Sequence, residues 1–394
     1  YFEKTAYVNF DNNARMKQVF EGDLDIERLV LSISAETGVS IEAENTLIIF
    51  DEVQEVPKAL TSLKYFYENA PQYAIVAAGS LLGVALHQGT SFPVGKVDFL
   101  DLYPLNFREF LCAMGEKQFV SMLDSCDTQM VTVFKTKYIE RLREYYFVGG
   151  MPEVVKDFSE KKDYNRVRAI QKNLINYYQQ DFSKHAEIKL VPRLNLVWNS
   201  IPMQLAKENK KYIYGQVREG SRAKDFELAI QWLLDCGLIH KVQRIQKPDL
   251  PLKAYIDFDA FKLFLVDIGL LIAMTDLDAK VIIEGNKIFT EFKGALTEQY
   301  ILQQLISDVG VIPYYYSTQN SKGEIDFLVQ GKTSVIPIEV KAEENLKAKS
   351  LKAFCEKYQP SYAVRTSMSD YREQDWMTNI PLYAVKWIKN YVNQ

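Results

Sequence analysis

Residues Thr46–Val56 read TLIIFDEVQEV, and four apolar residues in this stretch run directly into two acids, Asp51 and Glu52. A short continuous apolar run predicts a strand, Thr46–Phe50, that is fully buried in a parallel sheet. Ligands of such sheets gather beyond the carboxyl ends of the strands, where these acids lie. The pattern predicts that Asp51 holds Mg²⁺, usually through water, and that Glu52 polarises the water that attacks a nucleotide.

The residues on both sides of this strand alternate between strand and helix patterns. Continuous apolar strands that alternate with helices indicate an α/β fold whose parallel sheet is covered on both faces. The strand after the next helix ends in AAGS, so Ser80 is expected beside the acids, where its hydroxyl can sense the γ-phosphate. The predicted neighbours are strands Ala6–Phe10 and Tyr73–Ala78 and helices Ala14–Val19, Ile26–Glu36 and Leu60–Glu68.

A site of this kind also needs a phosphate loop with the pattern G-x-x-x-x-G-K-[ST]. The nearest match, GTSFPVGKV at Gly89–Val97, has five residues between its glycines and has Val97 where the hydroxyl should be. It also follows the acidic strand, whereas the loop should precede that strand. We therefore expect an incomplete core that lacks its first strand and loop. A degenerate core kept as an interaction module is the alternative.

Composition favours a cytoplasmic protein of two or three domains. The chain has 394 residues, a net charge of −4 and four scattered cysteines. These values indicate neither a disulfide framework nor a general electrostatic attraction to nucleic acid. No apolar run is long enough to span a bilayer, so no membrane partner is expected. The three histidines, His87, His185 and His240, are isolated and are expected to have structural roles.

The middle of the chain has a different character. Residues 111–190 are mostly helical in pattern and predict a lid-like region. Two helices, Leu194–Glu208 and Arg222–Cys236, then precede the strand patterns GLIHKV and KLFLVD, which together predict a winged helix with its wing at Gln243–Leu252. DNA contact and protein packing both stay open for this part. The basic side chains expected to meet phosphates are Arg222, Lys224, Arg244 and Lys247.

The C-terminal stretch GEIDFLVQGKTSVIPIEVK alternates with period two around a polar turn and predicts a hairpin. Glu339 and Lys341 would share one face of the second strand, beside Asp326 from the first strand. Glu298, on the predicted helix Phe292–Ser307, is placed to complete the cluster. An ordinary cross-strand ion pair on a solvated face is the alternative.

Two resemblances follow from these motifs. Asp51–Glu52, AAGS, PLNFREF at 104–110 and YYFVGGMPEVV at 145–155 together resemble a family of archaeal and bacterial AAA+-type ATPases. That resemblance implies a P-loop ATPase core that uses ATP and Mg²⁺, a winged helix and a nuclease-like C-terminal domain. Gly95-Lys96 stands where Gly-Arg is expected, which leaves Arg108 as the nearest arginine and a poor candidate for an arginine finger.

The C-terminal cluster resembles the PD-(D/E)xK nuclease core. The resemblance implies that Asp326 and Glu339 bind Mg²⁺, that Lys341 is the catalytic ammonium and that Glu298 is an auxiliary ligand, with Glu324 as a substitute.

The whole sequence thus predicts four domains and an ATPase that acts on DNA or on a DNA-associated protein. An interaction protein with vestigial sites, and a metal-dependent nuclease regulated by the ATPase, are the alternatives. The predicted domains are the incomplete ATPase core at 1–110, the lid at 111–190, the winged helix at 191–284 and the restriction-endonuclease-like α/β domain at 285–394.

Overall fold

The computed structural model divides the chain into two compact units. The first unit comprises Tyr1–Leu102 and Gln231–Leu238, and the second comprises Tyr103–Ile230 and Ile239–Gln394. The structure describes residues 1–79, 95–207, 210–284, 290–318, 323–344 and 348–394. The predicted site residue Ser80, His87 and most of the rejected glycine-rich match lie outside these residues.

The first unit is an α/β structure built on a three-stranded parallel sheet with the order β1-β2-β3. Its strands are β1 (Lys4–Asn9), β2 (Thr46–Asp51) and β3 (Ala74–Ala77), and its helices are α1 (Ala14–Glu21), α2 (Ile26–Thr37) and α3 (Pro57–Asn69). The alternation of strands and helices, and the parallel direction of the sheet, confirm the predictions for this part. The side chains of Asn13 and Asp25 accept backbone N–H groups and so begin α1 and α2, and Gly38, with a φ of 68°, ends α2.

One face of this sheet carries the core of the unit. Ile48 and Phe50 of β2 are fully buried together with residues of α1, α2 and α3, and the rings of Phe10, Phe20 and Phe50 meet edge to face at 5.3–5.6 Å. On the opposite face, Tyr7 and Val76 are 51% and 45% exposed. Among the described residues the sheet is therefore covered on one face only, and the prediction of a fully buried β2 is wrong for its alternate residues.

The second unit begins with helices. The predicted long helix at Thr132–Tyr146 is divided near Phe134, so the lid-like region has more and shorter helices than its pattern indicates. In chain order these helices are α4 (Phe107–Ala113), α5 (Lys117–Asp124), α6 (Thr128–Val133), α7 (Lys135–Val148), α8 (Pro152–Lys161), α9 (Tyr164–His185), α10 (Val191–Leu205) and α11 (Tyr214–Val217). Helix α12 (Ala223–Asp235) runs across the limit between the two units. No described helix is long and apolar enough to cross a membrane.

The second unit also holds an eight-stranded mixed sheet with the order β10-β11-β9-β8-β7-β6-β4-β5. Its strands are β4 (Ile239–Ile245), β5 (Ile256–Leu265), β6 (Tyr314–Ser317), β7 (Glu324–Gln330), β8 (Val335–Val340), β9 (Val364–Ser367), β10 (Arg372–Gln374) and β11 (Met377–Pro381). The remaining helices are α13 (Ile268–Met274), α14 (Ala279–Ile283), α15 (Thr290–Gln304), α16 (Lys349–Tyr358) and α17 (Ile388–Val392).

This sheet joins two parts that the sequence analysis separated at residue 284. Strands β4 and β5 form the antiparallel hairpin predicted for the winged helix, and β4 also pairs in parallel with β6 through Arg244 and Ile245. Backbone hydrogen bonds therefore connect the hairpin to the C-terminal strands within one sheet. The hairpin predicted in the C-terminal part is present as β7 and β8, and the predicted helix Phe292–Ser307 overlaps α15.

The motifs PLNFREF and YYFVGGMPEVV meet at a buried polar junction within the second unit. The backbone N–H of Leu105 donates to the carbonyl of Gly150 at 2.8 Å, and the Tyr145 hydroxyl donates to the carbonyl of Leu105 at 2.6 Å. Asp267 accepts the N–H of Gly150 at 2.6 Å, and a Cβ on Gly149 would lie 2.2 Å from its carboxylate. These contacts explain both glycines and give the two motifs a structural role.

Candidate functional site

The carboxylate of Asp51 lies at the carboxyl end of β2 and is held by its parallel neighbour β1. The register pairs Asn9 with Asp51, and Tyr7 lies on the same face of β1 as Asn9. The Tyr7 hydroxyl donates to Asp51 Oδ2, and the amide of Asn9 lies 3.4 Å from the same oxygen. This hydrogen bond to Asp51 raises the pKa of Tyr7. Asp51 is thus oriented on the less covered face of the sheet and is partly accessible to solvent.

Glu52 follows in a backbone conformation that few residues of its type adopt. Its φ is 51° and its ψ is 43°, in the left-handed region, and its N–H donates to Asp51 Oδ1 at 3.0 Å. Such a conformation costs free energy, and functional sites are where it is most often kept. The short 3₁₀ turn Val53–Glu55 follows it directly, so the chain turns at the end of β2.

Gln54 connects Glu52 with the end of the neighbouring strand. Its amide Nε2 donates to the Glu52 carboxylate, and a Cβ on Gly79 would lie 2.2 Å from its Oε1. The backbone supports the same arrangement, because Val53 N–H donates to Ala78 O at 3.1 Å and Ala78 N–H donates to Phe50 O at 2.7 Å. Gln54, Tyr7 and Asn9 were not predicted as site residues. Gln54 is close to the acids in the sequence, and Tyr7 and Asn9 lie on the strand that pairs with β2, but the sequence gives no other signal for them.

The two acids suit the metal and the water of a nucleotide site. Carboxylate oxygens are the ligands that Mg²⁺ prefers, and Mg²⁺ usually keeps several waters when one or two carboxylates hold it. Asp51 has the position and the oriented oxygens for that role, and Glu52, held by Gln54, has the position for the water. Groups that would enclose the phosphates are not among the described residues.

Lys96, which stands where an arginine is expected, and Arg108 are each paired with acids of their own unit. Lys96 lies 3.7 Å from Glu68 in the first unit. In the second unit, Arg108 pairs with Asp124 at 2.7 Å and with Asp308 at 3.0 Å. Arg108 therefore ties α4 to α5 and to the turn after α15, which is a structural role.

The second predicted site is divided into two neighbouring groups. Asp326 and Glu339 lie on adjacent strands, one residue beyond the pair Phe327–Ile338, and Asp326 hydrogen-bonds with Glu298 of α15. Glu339 instead pairs with Lys341 at 2.7 Å and accepts the N–H of Leu351 at 3.2 Å. Among the residues that the structure describes, no three His, Cys, Asp or Glu side chains are grouped so that they could hold a metal ion.

Two lysines that the sequence analysis did not select lie among these acids. Lys210 Nζ contacts Glu298 Oε1, and Lys262 Nζ contacts Glu324 and lies 3.7 Å from Glu298 Oε2. Lys262 is fully buried on β5, and its ammonium lies 4.8 Å from the centre of the Tyr315 ring. A buried lysine needs such partners, because an unpaired charge in the interior is costly.

Burial and charge act in opposite directions on the ionisation of this group. Burial raises the pKa of Asp326 to about 8, and the charge of Glu298 adds to this effect. Burial also opposes the ionised form of Glu298, but the nearby charges of Lys210 and Lys262 prevail and lower its pKa. For Lys262, the charges of Glu298 and Glu324 outweigh burial and raise its pKa. The cluster thus contains an ionised Glu298 beside two ammonium groups.

Two of the four basic residues predicted to contact DNA are neutralised within the hairpin. Arg244 donates through Nε to Asp257 at 3.0 Å, and a second guanidinium nitrogen contacts the same carboxylate. Lys247 pairs with Asp249 at 2.7 Å and lies over the ring of Tyr255. These contacts fit a hairpin stabilised within its own unit.

Three family models match three separate parts of the chain. Residues 1–111 match an AAA domain, so this part is similar to P-loop ATPases. Residues 139–281 match a domain of unknown function (DUF8612), and residues 293–385 match another (DUF4143). No curated protein matches the chain.

Among solved structures, the Walker-type ATPase PABY2304 of Pyrococcus abyssi is similar to this chain with a TM-score of 0.43 and 12% sequence identity. The similarity covers 69% of this chain and 84% of that one.

Proposed function

We propose that the first unit carries the metal-holding and water-activating part of an ATP-hydrolysing site. Asp51 would hold Mg²⁺ through water, and Glu52 would polarise the water that attacks the γ-phosphate. The observation that carries this proposal is the pair of carboxylates at the end of β2, with Glu52 in a left-handed conformation and bonded to Gln54. The match of residues 1–111 to an AAA domain supports the same class.

Bound Mg²⁺ would supply positive charge to the phosphates, and the residues of this chain would orient the metal and the water. Tyr7 and Asn9 restrict the Asp51 carboxylate, and Gln54 restricts the Glu52 carboxylate. The sequence contains no G-x-x-x-x-G-K-[ST] pattern, so we assign no residue of it to the phosphates. The tests use the full-length protein.

The first test is Glu52→Gln, which keeps the shape of the side chain and removes its charge. We expect the rate of ATP hydrolysis to fall by about 100-fold or more, because a positioned base contributes that much or more to a proton transfer. Steady-state phosphate release measures the effect. The matched control is Glu55→Gln in the same turn, since Glu55 pairs with Lys17 at 3.6 Å and has no assigned role in catalysis.

The outcome also separates this proposal from a purely interacting protein. If the wild-type protein releases phosphate and Glu52→Gln does so equally fast, Glu52 does not activate the water. If the wild-type protein neither binds nor hydrolyses ATP, the first unit is a vestigial core and the interaction role takes its place.

For the target, we propose a protein partner rather than DNA. The pairing of Arg244 with Asp257 and of Lys247 with Asp249 supports this choice, because both cations are already neutralised. Binding to DNA through phosphates weakens steeply as salt rises. The test is ATP hydrolysis with and without duplex DNA at low and moderate salt. Stimulation that disappears with Arg222→Ala and Lys224→Ala would contradict the proposal and identify DNA as the target.

A further inference from the structure

Each acid of the cluster in the second unit has a partner of the same unit. Glu298 Oε1 contacts Lys210, and Glu298 Oε2 faces Lys262 at 3.7 Å. Asp326 Oδ2 accepts the N–H of Val340 at 2.7 Å. Asp326, a metal ligand in the nuclease resemblance, and Glu298, its auxiliary ligand, are therefore each held by other groups of the second unit.

The remaining two acids, Glu324 and Glu339, also have partners in the same unit. Glu324 pairs with Lys262. The two oxygens of Glu339 take the ammonium of Lys341 at 2.7 Å and the N–H of Leu351 at 3.2 Å. Mg²⁺ needs close, nearly octahedral oxygen coordination, which requires carboxylate oxygens that are free to turn towards one point. The contacts of these four acids restrict that freedom, and the residues that the structure describes contain no group of three such side chains that could hold a metal ion.

The position of Lys262 is the feature that most directly opposes a divalent cation. Its ammonium is fully buried, lies between Glu298 and Glu324, and is backed by the ring of Tyr315 at 4.8 Å. A divalent cation placed among the same acids would meet this ammonium in a region of low dielectric, where repulsion between like charges is strong. A hydrated lysine could swing away into solvent, but a side chain with no exposed surface has no path to do so without a larger rearrangement.

We propose that Lys210 and Lys262 take the place of the divalent cation, so that the cluster of Glu298, Glu324 and Asp326 is a metal-independent ion-pair cluster. The second unit is then not a metal-dependent nuclease. The proposal is independent of ATP hydrolysis by the first unit. It also predicts that the lysines hold Glu298 and Glu324 away from a common point with Asp326, so that loss of the ammonium groups would free these oxygens to turn towards a metal ion.

The test is a titration with Mn²⁺ without nucleotide, followed by the electron paramagnetic resonance signal of free Mn²⁺. All proteins carry Asp51→Asn, so that binding at the first unit does not contribute. We expect the protein with both lysines to show no site tighter than about 1 mM, the weak end for protein carboxylate sites. The double variant Lys210→Met/Lys262→Met is expected to bind one Mn²⁺ at least roughly ten times more tightly, because two positive charges are gone.

The matched control is Lys172→Met, which removes a lysine from an exposed pair with Asp276 and should leave Mn²⁺ binding unchanged. If the double variant does not fold, Lys210→Met alone replaces it, since Lys210 is partly accessible, and a smaller gain in affinity is expected. Tight Mn²⁺ binding by the protein with both lysines that is lost in Asp326→Asn would overturn the proposal. A folded lysine variant with no gain in affinity would also overturn it.

Discussion

Gln54 lies two residues beyond Glu52 and joins its carboxylate to the end of β3. This amide group thus helps to orient the carboxylate that we propose to activate water. Within the part of the chain that the structure describes, Gln54 Oε1 is buried without a hydrogen-bond partner, and Gly79 leaves the space that the amide occupies. A larger residue at 79 and a shorter one at 54 should therefore disturb Glu52 in the same way.

The first prediction concerns this pair. In the full-length protein, Gln54→Ala should lower the rate of ATP hydrolysis by roughly tenfold, the value of one hydrogen bond to a charged group. Gly79→Ala should produce a similar loss, because the added Cβ would push the Gln54 amide away. Phosphate release at saturating ATP measures both effects. The control is Gln18→Ala, at an exposed glutamine of α1, and unchanged hydrolysis by both Gln54→Ala and Gly79→Ala would contradict a positioning role.

His240 is a second residue whose environment has a measurable consequence. It lies on β4, opposite Phe264, and its ring lies 6.4 Å from that of Tyr103. Burial lowers its pKa to about 4, from a value near 6.5 for a free imidazole. Between these two values the unfolded chain binds a proton that the folded chain does not bind.

The second prediction follows from this difference. As pH falls from about 6.5 to about 4, His240 should reduce the free energy of unfolding, because protons favour the unfolded state in this window. His240→Gln should remove this part of the acid sensitivity. Chemical denaturation at several pH values, compared with wild type, isolates the contribution of His240 from those of other groups. His185→Gln, at the end of α9, is the control, and a His240→Gln profile parallel to wild type would show the prediction to be wrong.

At the scale of elements, the residue that caps the start of α13 also binds the loop after α7 through a hydrogen bond. Asp267 accepts Leu270 N–H as the helix cap at 3.0 Å, accepts Gly150 N–H at 2.6 Å and receives Gln303 Nε2 at 3.3 Å. Burial raises its pKa. One carboxylate therefore connects three segments that are distant in the sequence.

The third prediction is that Asp267→Ala destabilises the second unit by about 3 kcal/mol, because two buried N–H groups lose their acceptor at about 1–3 kcal/mol each. Asp278→Ala is a matched change, since Asp278 also caps a helix but is exposed and accepts only from Lys280. That variant should lose only about 1 kcal/mol, the usual value of a cap. Denaturant unfolding compares the two. Equal losses would mean that Asp267 acts only as a helix cap.

Secondary structure in this chain was predictable where a local pattern decides it. The apolar run before Asp51 predicted β2, and the two alternating runs in GEIDFLVQGKTSVIPIEVK predicted β7 and β8. The uncovered face of the first sheet was not predictable, because Leu47 and Ile49 are as apolar as Ile48. The pairing of β4 with β6 depends on residues about 70 positions apart, and no local pattern encodes that contact.

The candidate sites show the same limit. The position of Asp51 and Glu52 at the end of β2 was predictable because they directly follow an apolar run, and the proximity of Glu339 to Lys341 was predictable because they lie two positions apart in an alternating pattern. Lys262 was not predictable as a partner of Glu324, since 62 residues separate them and a lysine in a strand is usually at the surface. The contact between Lys262 and Glu324, which bears on the predicted metal site of the second unit, is visible only in the folded chain.

At the scale of the whole molecule, the clustered acids of the two units have different kinds of partner side chain. In the first unit, Tyr7, Asn9 and Gln54 hydrogen-bond to Asp51 and Glu52. In the second unit, ammonium groups pair with Glu298, Glu324 and Glu339. We therefore propose metal-dependent chemistry for the first unit alone.

The measurement that tests this proposal most directly is the calorimetric titration of Mg²⁺ and ATP into the full-length protein and into two of its variants, paired with phosphate release. Glu52→Gln should bind Mg²⁺ with ATP as wild type does and should release almost no phosphate. Asp51→Asn should lose the part of ATP binding that depends on Mg²⁺. If both variants bind and hydrolyse as wild type does, the acids that end β2 are not the catalytic site.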